Sequence, residues 1–90
     1  MSHGPTWCRR PPYFERVAPN ALLLLADGDT PLRLAGPAVE LWGLLDHPVT
    51  LSEIVDRLAA SYQGDPDEMR QDALGALEDL VAAGLVAHEA

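Results

Sequence analysis

The chain has one cysteine in 90 residues, Cys8. A single thiol excludes an internal disulfide, which fits a reducing cytoplasm. Long apolar runs are absent as well. The run Ala21–Ala26 is six residues long, far short of the roughly 18–20 that span a membrane. The N-terminus lacks the charged-then-apolar order of a signal peptide. The expectation is a cytoplasmic protein with no membrane association.

Basic charge is scarce. Six Lys and Arg residues face 14 acids, a net charge of −8. The imbalance lies in the second half, where Glu53, Asp56, Asp65, Asp67, Glu68, Asp72, Glu78, Asp79 and Glu89 face only Arg57 and Arg70. Affinity for nucleic acid comes largely from cations that neutralise phosphates, so no nucleic-acid partner is expected. Catalytic constellations are missing too. His3, His47 and His88 show no metal-ligand spacing. There is no glycine-rich phosphate loop and no nucleophile elbow, and Cys8 has no partnering base. No catalytic residue, metal or cofactor is expected.

What the sequence does have is helical punctuation between Thr50 and Val86. Leu51, Ile54, Val55, Leu58 and Tyr62 recur on one face of a 3.6-residue period. Thr50 and Glu53 have capping-box spacing, in which each side chain reaches a free amide at the helix start. Gly64 suits the close of this helix. Asp65 then caps a second one, with Pro66 at its first position and Glu68 at its third. Met69, Ala73, Ala76, Leu77 and Leu80 form its inner face, Gly84 stops it, and Leu85–His88 follows as a short strand. A helix, a tight turn, a helix and a wing stub make a helix-turn-helix. Such domains bind DNA, yet the second helix opens with Asp65, Asp67 and Glu68, the wrong sign for a helix end aimed at a groove.

The N-terminal half reads as extended chain. Residues 1–12 are expected to form a flexible segment, because Pro11-Pro12 interrupts any ladder around Trp7–Arg10. Tyr13–Val17 alternates as a first strand, and Pro19-Asn20 is a turn. Ala21–Ala26 is a buried second strand, and Asp27-Gly28 opens a hairpin. Pro31–Ala35 is the third strand, with Leu32 and Leu34 on one face and Arg33 on the other. Pro31 cannot donate to a ladder, so this strand begins late or lies on an edge. Gly36-Pro37 starts a helix whose inner face is Ala38, Leu41, Trp42 and Leu45, and Asp46-His47-Pro48 ends it. The fold class is α+β: a winged helix-turn-helix with an N-terminal three-stranded antiparallel sheet and three helices. The domain occupies residues 13–90.

In this order and spacing, the chain resembles the PqqD-like proteins, also called RiPP recognition elements, from ribosomal peptide natural-product pathways. The resemblance runs from Leu22 to Val86. It is carried by the apolar strand, Leu32-Arg33-Leu34, Ala38–Leu45, Thr50–Leu58 with Tyr62, and then Asp72-Ala73, Leu77, Leu80 and Gly84–Val86. One departure is visible: the family's polar residue after the third strand, often Asn, is replaced here by Ala35-Gly36-Pro37. The resemblance implies a non-catalytic peptide chaperone that binds the leader segment of a precursor peptide and presents it to a modifying enzyme. That enzyme would be a radical-SAM protein or, in lasso-peptide pathways, a leader peptidase. The leader would add as a strand to the third strand, in the cleft beside the third helix.

The residues permit this. An edge strand offers unpaired N–H and C=O groups to a second chain. Four or five strand hydrogen bonds contribute only ~0.5–1.5 kcal/mol each, against an association cost of roughly 4–15 kcal/mol. Apolar pockets must therefore contribute. The candidate binding residues are Leu32, Arg33, Leu34 and Ala35 on the strand, with Arg70, Leu74 and Val81 on one flank of the third helix. Arg70 is available to a leader carboxylate. Each has a plainer reading, Leu74 and Val81 as peripheral core and Arg33 as an ordinary edge charge. The competing functions are a winged-helix transcription regulator and a structural module that forms a homodimer through its sheet edge.

Overall fold

The computed structural model describes residues 4–26 and 31–89. In chain order these form β1 (Thr6–Arg9), β2 (Phe14–Ala18), β3 (Ala21–Leu25), β4 (Leu32–Leu34), α1 (Pro37–Leu44), β5 (Val49–Thr50), α2 (Leu51–Ser61), α3 (Pro66–Ala82) and β6 (Val86–Glu89). Among the described residues there are three helices and two three-stranded antiparallel sheets, ordered β2-β3-β4 and β5-β1-β6.

The first sheet follows from alternation. β3 is its central strand, and Leu22 and Leu24 point into the core while Leu23 and Leu25 are half-buried on the other face. β2 reaches β3 through Pro19-Asn20, and Asn20 takes a φ of 61°, a left-handed conformation that Asn tolerates well. β4 pairs with β3 in the register Leu22 to Leu34, Leu23 to Arg33 and Leu24 to Leu32. It begins after Pro31 and lies on an edge, as its proline dictates. The Asp27-Gly28 hairpin lies outside the described residues.

The helices carry the expected signals. Gly36, at φ 60°, caps α1 ahead of Pro37. The capping box of α2 is formed: Glu53 N donates to Thr50 Oγ1 at 3.2 Å, and Thr50 N donates to Glu53 Oε1 at 3.1 Å. Asp65 caps α3 by accepting from Asp67 N at 2.9 Å. At the other end of α3, Gly84 N donates to the Val81 carbonyl and Leu85 N to the Leu80 carbonyl (3.0 and 2.9 Å). Gly84 makes this reversal at φ 77°, and Leu80 and Leu85 are both buried beside it, a Schellman stop with its apolar contact. α2 ends earlier than Gly64, at Ser61, with Tyr62 extended.

Two strands were not expected. Thr6–Arg9, placed by the sequence reading in a flexible segment over residues 1–12, is instead the central strand of the second sheet. Pro11-Pro12 limits that ladder to four residues but does not abolish it, because the strand ends at Arg9. Trp7 is buried in the core and stacks on His88, with centroids 4.4 Å apart and planes 8° apart. The other addition is the two-residue β5, which pairs with β1 through Thr6–Thr50 and Trp7–Val49. The last strand, β6, pairs with β1 in place of a wing hairpin of its own. One core joins both sheets to the helices, through Leu24 and Leu34, through Leu41, Trp42 and Leu45, through Ile54 and Leu58, and through Leu77, Leu80 and Val86.

Candidate functional site

Among the described residues, β4 has a hydrogen-bonded neighbour on one side only. Leu34 is buried, Leu32 is half-buried, and Arg33 is exposed on the opposite face. The anchoring leucines thus hold the strand on the core and leave its outer edge open. Such an edge is a template for another extended chain.

The edge runs beside two clefts. At the Ala35 end, a groove of about 410 Å³ opens between the start of α1, the end of α2 and the first half of α3. Its floor is apolar, made of Leu41, Leu58 and Ala73, with Met69 and Ala76 beside them. Tyr62, Gln63 and Gly64 also line it, and Asp65, Glu68 and Asp72 stand along the α3 side. At the Leu32 end, a second cleft of about 380 Å³ lies between the β3–β4 pair and residues 82–85 at the end of α3. α3 therefore runs alongside β4, with its N-terminal half near Ala35 and its C-terminal end near Leu32.

The residues expected from sequence divide into two sets. Leu32 and Ala35 line the two clefts, and Arg33 and Leu34 lie between them on β4. Arg70, Leu74 and Val81 line neither cleft. At 100° per residue, they sit about 150° round α3 from the stripe of Met69, Asp72 and Ala76. Leu74 and Val81 are 37% and 38% exposed. The α3 wall is built instead by Glu68, Met69, Asp72, Ala73 and Ala76. Met69, Ala73 and Ala76 belong to the inner face already legible as a helical stripe. The acids and Tyr62 had no signal beyond their positions next to that stripe.

The charge of the groove wall is negative. No Lys or Arg is among the groove's lining residues. Among the described residues, no three His, Cys, Asp or Glu side chains gather as a metal site. His47 bonds Asp46 through Nδ1 at 2.6 Å, and His88 is stacked on Trp7. Trp42 is not part of the groove. It is buried, donates from Nε1 to Glu15 Oε1 at 2.6 Å, and meets Tyr13 edge-on at 5.1 Å. Among the described residues, no helix is long and apolar enough to cross a membrane.

The fold matches a known structure. TbiB1, solved in complex with the TbiA(beta) leader peptide, superposes with a TM-score of 0.75 at 22% identity, over 88% of this chain and 93% of TbiB1. No curated protein matches the chain. The sequence profile of PqqD, coenzyme PQQ synthesis protein D, matches residues 21–86, a span that takes in β3, the edge strand β4, all three helices and the groove between them. The chain belongs to the PqqD family.

Proposed function

We propose that this chain is a non-catalytic peptide-binding domain that captures the leader segment of a ribosomally made precursor peptide. The leader pairs with the open edge of β4 along Leu32–Ala35 and sets apolar side chains into the clefts beside α3. The domain then presents the precursor to a modifying enzyme, a radical-SAM protein or a leader peptidase, in the cytoplasm. The observation that carries this reading is the juxtaposition of the free edge of β4 with the apolar groove at Ala35. Family membership supports it, as does a similarly folded protein that holds a leader peptide.

The energetics require both features together. Strand pairing of this length is worth a few kcal/mol, and burial of apolar surface adds roughly 25 cal/mol per Å². Edge and groove together supply what association costs. The test is fluorescence anisotropy with a labelled leader from a precursor encoded beside the gene. Micromolar or tighter binding supports the reading. Failure of every neighbouring peptide to bind the folded chain contradicts it.

A winged-helix reading of the architecture accommodates both sheets, with β5 after α1 and β1 taking the place of one wing strand beside β6. The regulator function that often goes with that architecture fits poorly, because α3 presents Asp67 and Glu68 in its first turn. A dimer through a sheet edge has one specific observation in its favour. The opposite edge strand, β2, carries Phe14 and Val17 at 76% and 82% exposure. Sedimentation at increasing concentration separates that role from leader capture on β4.

A further inference from the structure

We infer that the leader segment lying over the groove at Ala35 carries a basic side chain next to its apolar anchor. The inference rests on the peptide-binding reading above and names the chemistry that the groove selects.

Three carboxylates, Asp65, Glu68 and Asp72, line a groove with an apolar floor, joined by the polar groups of Tyr62 and Gln63. Asp65 is engaged as the cap of α3. The side-chain carboxylates of Glu68 and Asp72 make no hydrogen bond or ion pair with any described residue. They stand four residues apart on one helical face, a spacing at which like charges repel. The arginines nearest in sequence do not answer them. Arg33 points to the other face of the β2-β3-β4 sheet, Arg70 lies off the groove stripe, and Arg57 belongs to a separate depression beside Asp46 and Glu53.

A peptide strand added to β4 places alternate side chains on the α3 side. One of them enters the apolar floor, and its neighbours two residues away meet the acidic wall. A Lys or Arg there relieves the repulsion between Glu68 and Asp72, whereas an Asp or Glu adds to it. The groove therefore discriminates by charge as well as by shape, with a repulsive element against acidic peptides.

The test uses the full chain, immobilised, and a random-sequence peptide library displayed on phage. Wild type is expected to enrich peptides with Arg or Lys two residues from a large apolar residue. Glu68→Gln combined with Asp72→Lys is expected to lose that preference and enrich acidic residues at the same place. For single peptides, Asp72→Asn is expected to weaken binding about twofold to fivefold at low salt, the range for one exposed ion pair, and the difference shrinks as salt rises. Circular dichroism confirms that each variant is folded, and Asp72→Asn with its salt titration stands alone if the double variant is not. Enriched peptides that are neutral or acidic, or a preference unchanged by the charge swap, overturn the inference and leave peptide capture intact. A folded wild type that enriches no peptide overturns the peptide-binding reading, and this inference with it.

Discussion

The guanidinium of Arg9 lies over the indole ring of Trp42, with its Cζ 4.5 Å from the ring centroid. It also donates from Nε and Nη2 to the Trp42 carbonyl at 3.1 and 2.8 Å. One residue of β1 thus clamps both ends of a residue on α1. The backbone repeats the link, because Arg9 N donates to the Leu45 carbonyl and Arg10 N to the Leu85 carbonyl, each at 2.8 Å. The β5-β1-β6 sheet, α1 and the end of α3 are tied together here.

Removing that clamp should destabilise the protein without touching the groove. Arg9→Ala loses a cation–π contact worth about 0.5–2 kcal/mol and charge-assisted hydrogen bonds to the Trp42 carbonyl. The expected loss is about 2 kcal/mol, a fall in melting temperature of roughly 8–16 °C for a domain of this size. Thermal denaturation followed by circular dichroism measures it. A fall of under about 2 °C would show that Arg9 is a surface charge with no structural part.

The N-terminal strand should be needed for the fold. Trp7→Ala empties a buried, stacked position and should cost about 3–5 kcal/mol. A chain that starts at Pro11 leaves β5 and β6 without the strand between them. Urea denaturation should show that chain largely unfolded or strongly destabilised. An unchanged midpoint would mean that residues 4–10 only decorate the domain.

Much of this fold is legible in single residues. Pro31 fixed where β4 could start, Leu32 and Leu34 set its buried face, and Thr50 with Glu53 marked the start of α2. These signals are local, so the sequence carries them openly. β1 and β5 are hidden for the opposite reason. Four and two residues long, they exist through pairing across the chain, Thr6 with both Thr50 and Glu89. Trp7 is buried through that pairing, whereas Pro11-Pro12 just beyond it reads as an interruption. The groove was half legible. A helical wheel separates the Met69–Ala76 stripe from Arg70, Leu74 and Val81, but it does not show which flank faces β4. That depends on how the start of α1 and the end of α2 pack beside the first half of α3, a tertiary relation with no signature on α3 itself.

The two flanks of α3 should accordingly differ in binding. Met69→Ala removes apolar surface beside the groove floor and should weaken leader affinity about tenfold, the equivalent of losing one or two buried methylene groups. Leu74→Ala and Val81→Ala should change it less than about twofold, since surface substitutions away from a site stay within ~0.5 kcal/mol. Titration calorimetry on the three variants compares them directly. A larger loss at Leu74 or Val81 than at Met69 would move the binding surface to the other flank.

The most direct test of the central claim is an N-methyl scan along a leader peptide that binds the chain, read by fluorescence anisotropy. N-methylation removes one backbone donor at a time, and in a strand added to an edge only alternate amides face the partner. The account predicts losses of roughly twofold to tenfold at every second residue across a window of four or five, with little change between them. Uniform losses, losses spaced three or four residues apart as in a bound helix, or no effect at any position would contradict strand addition to β4.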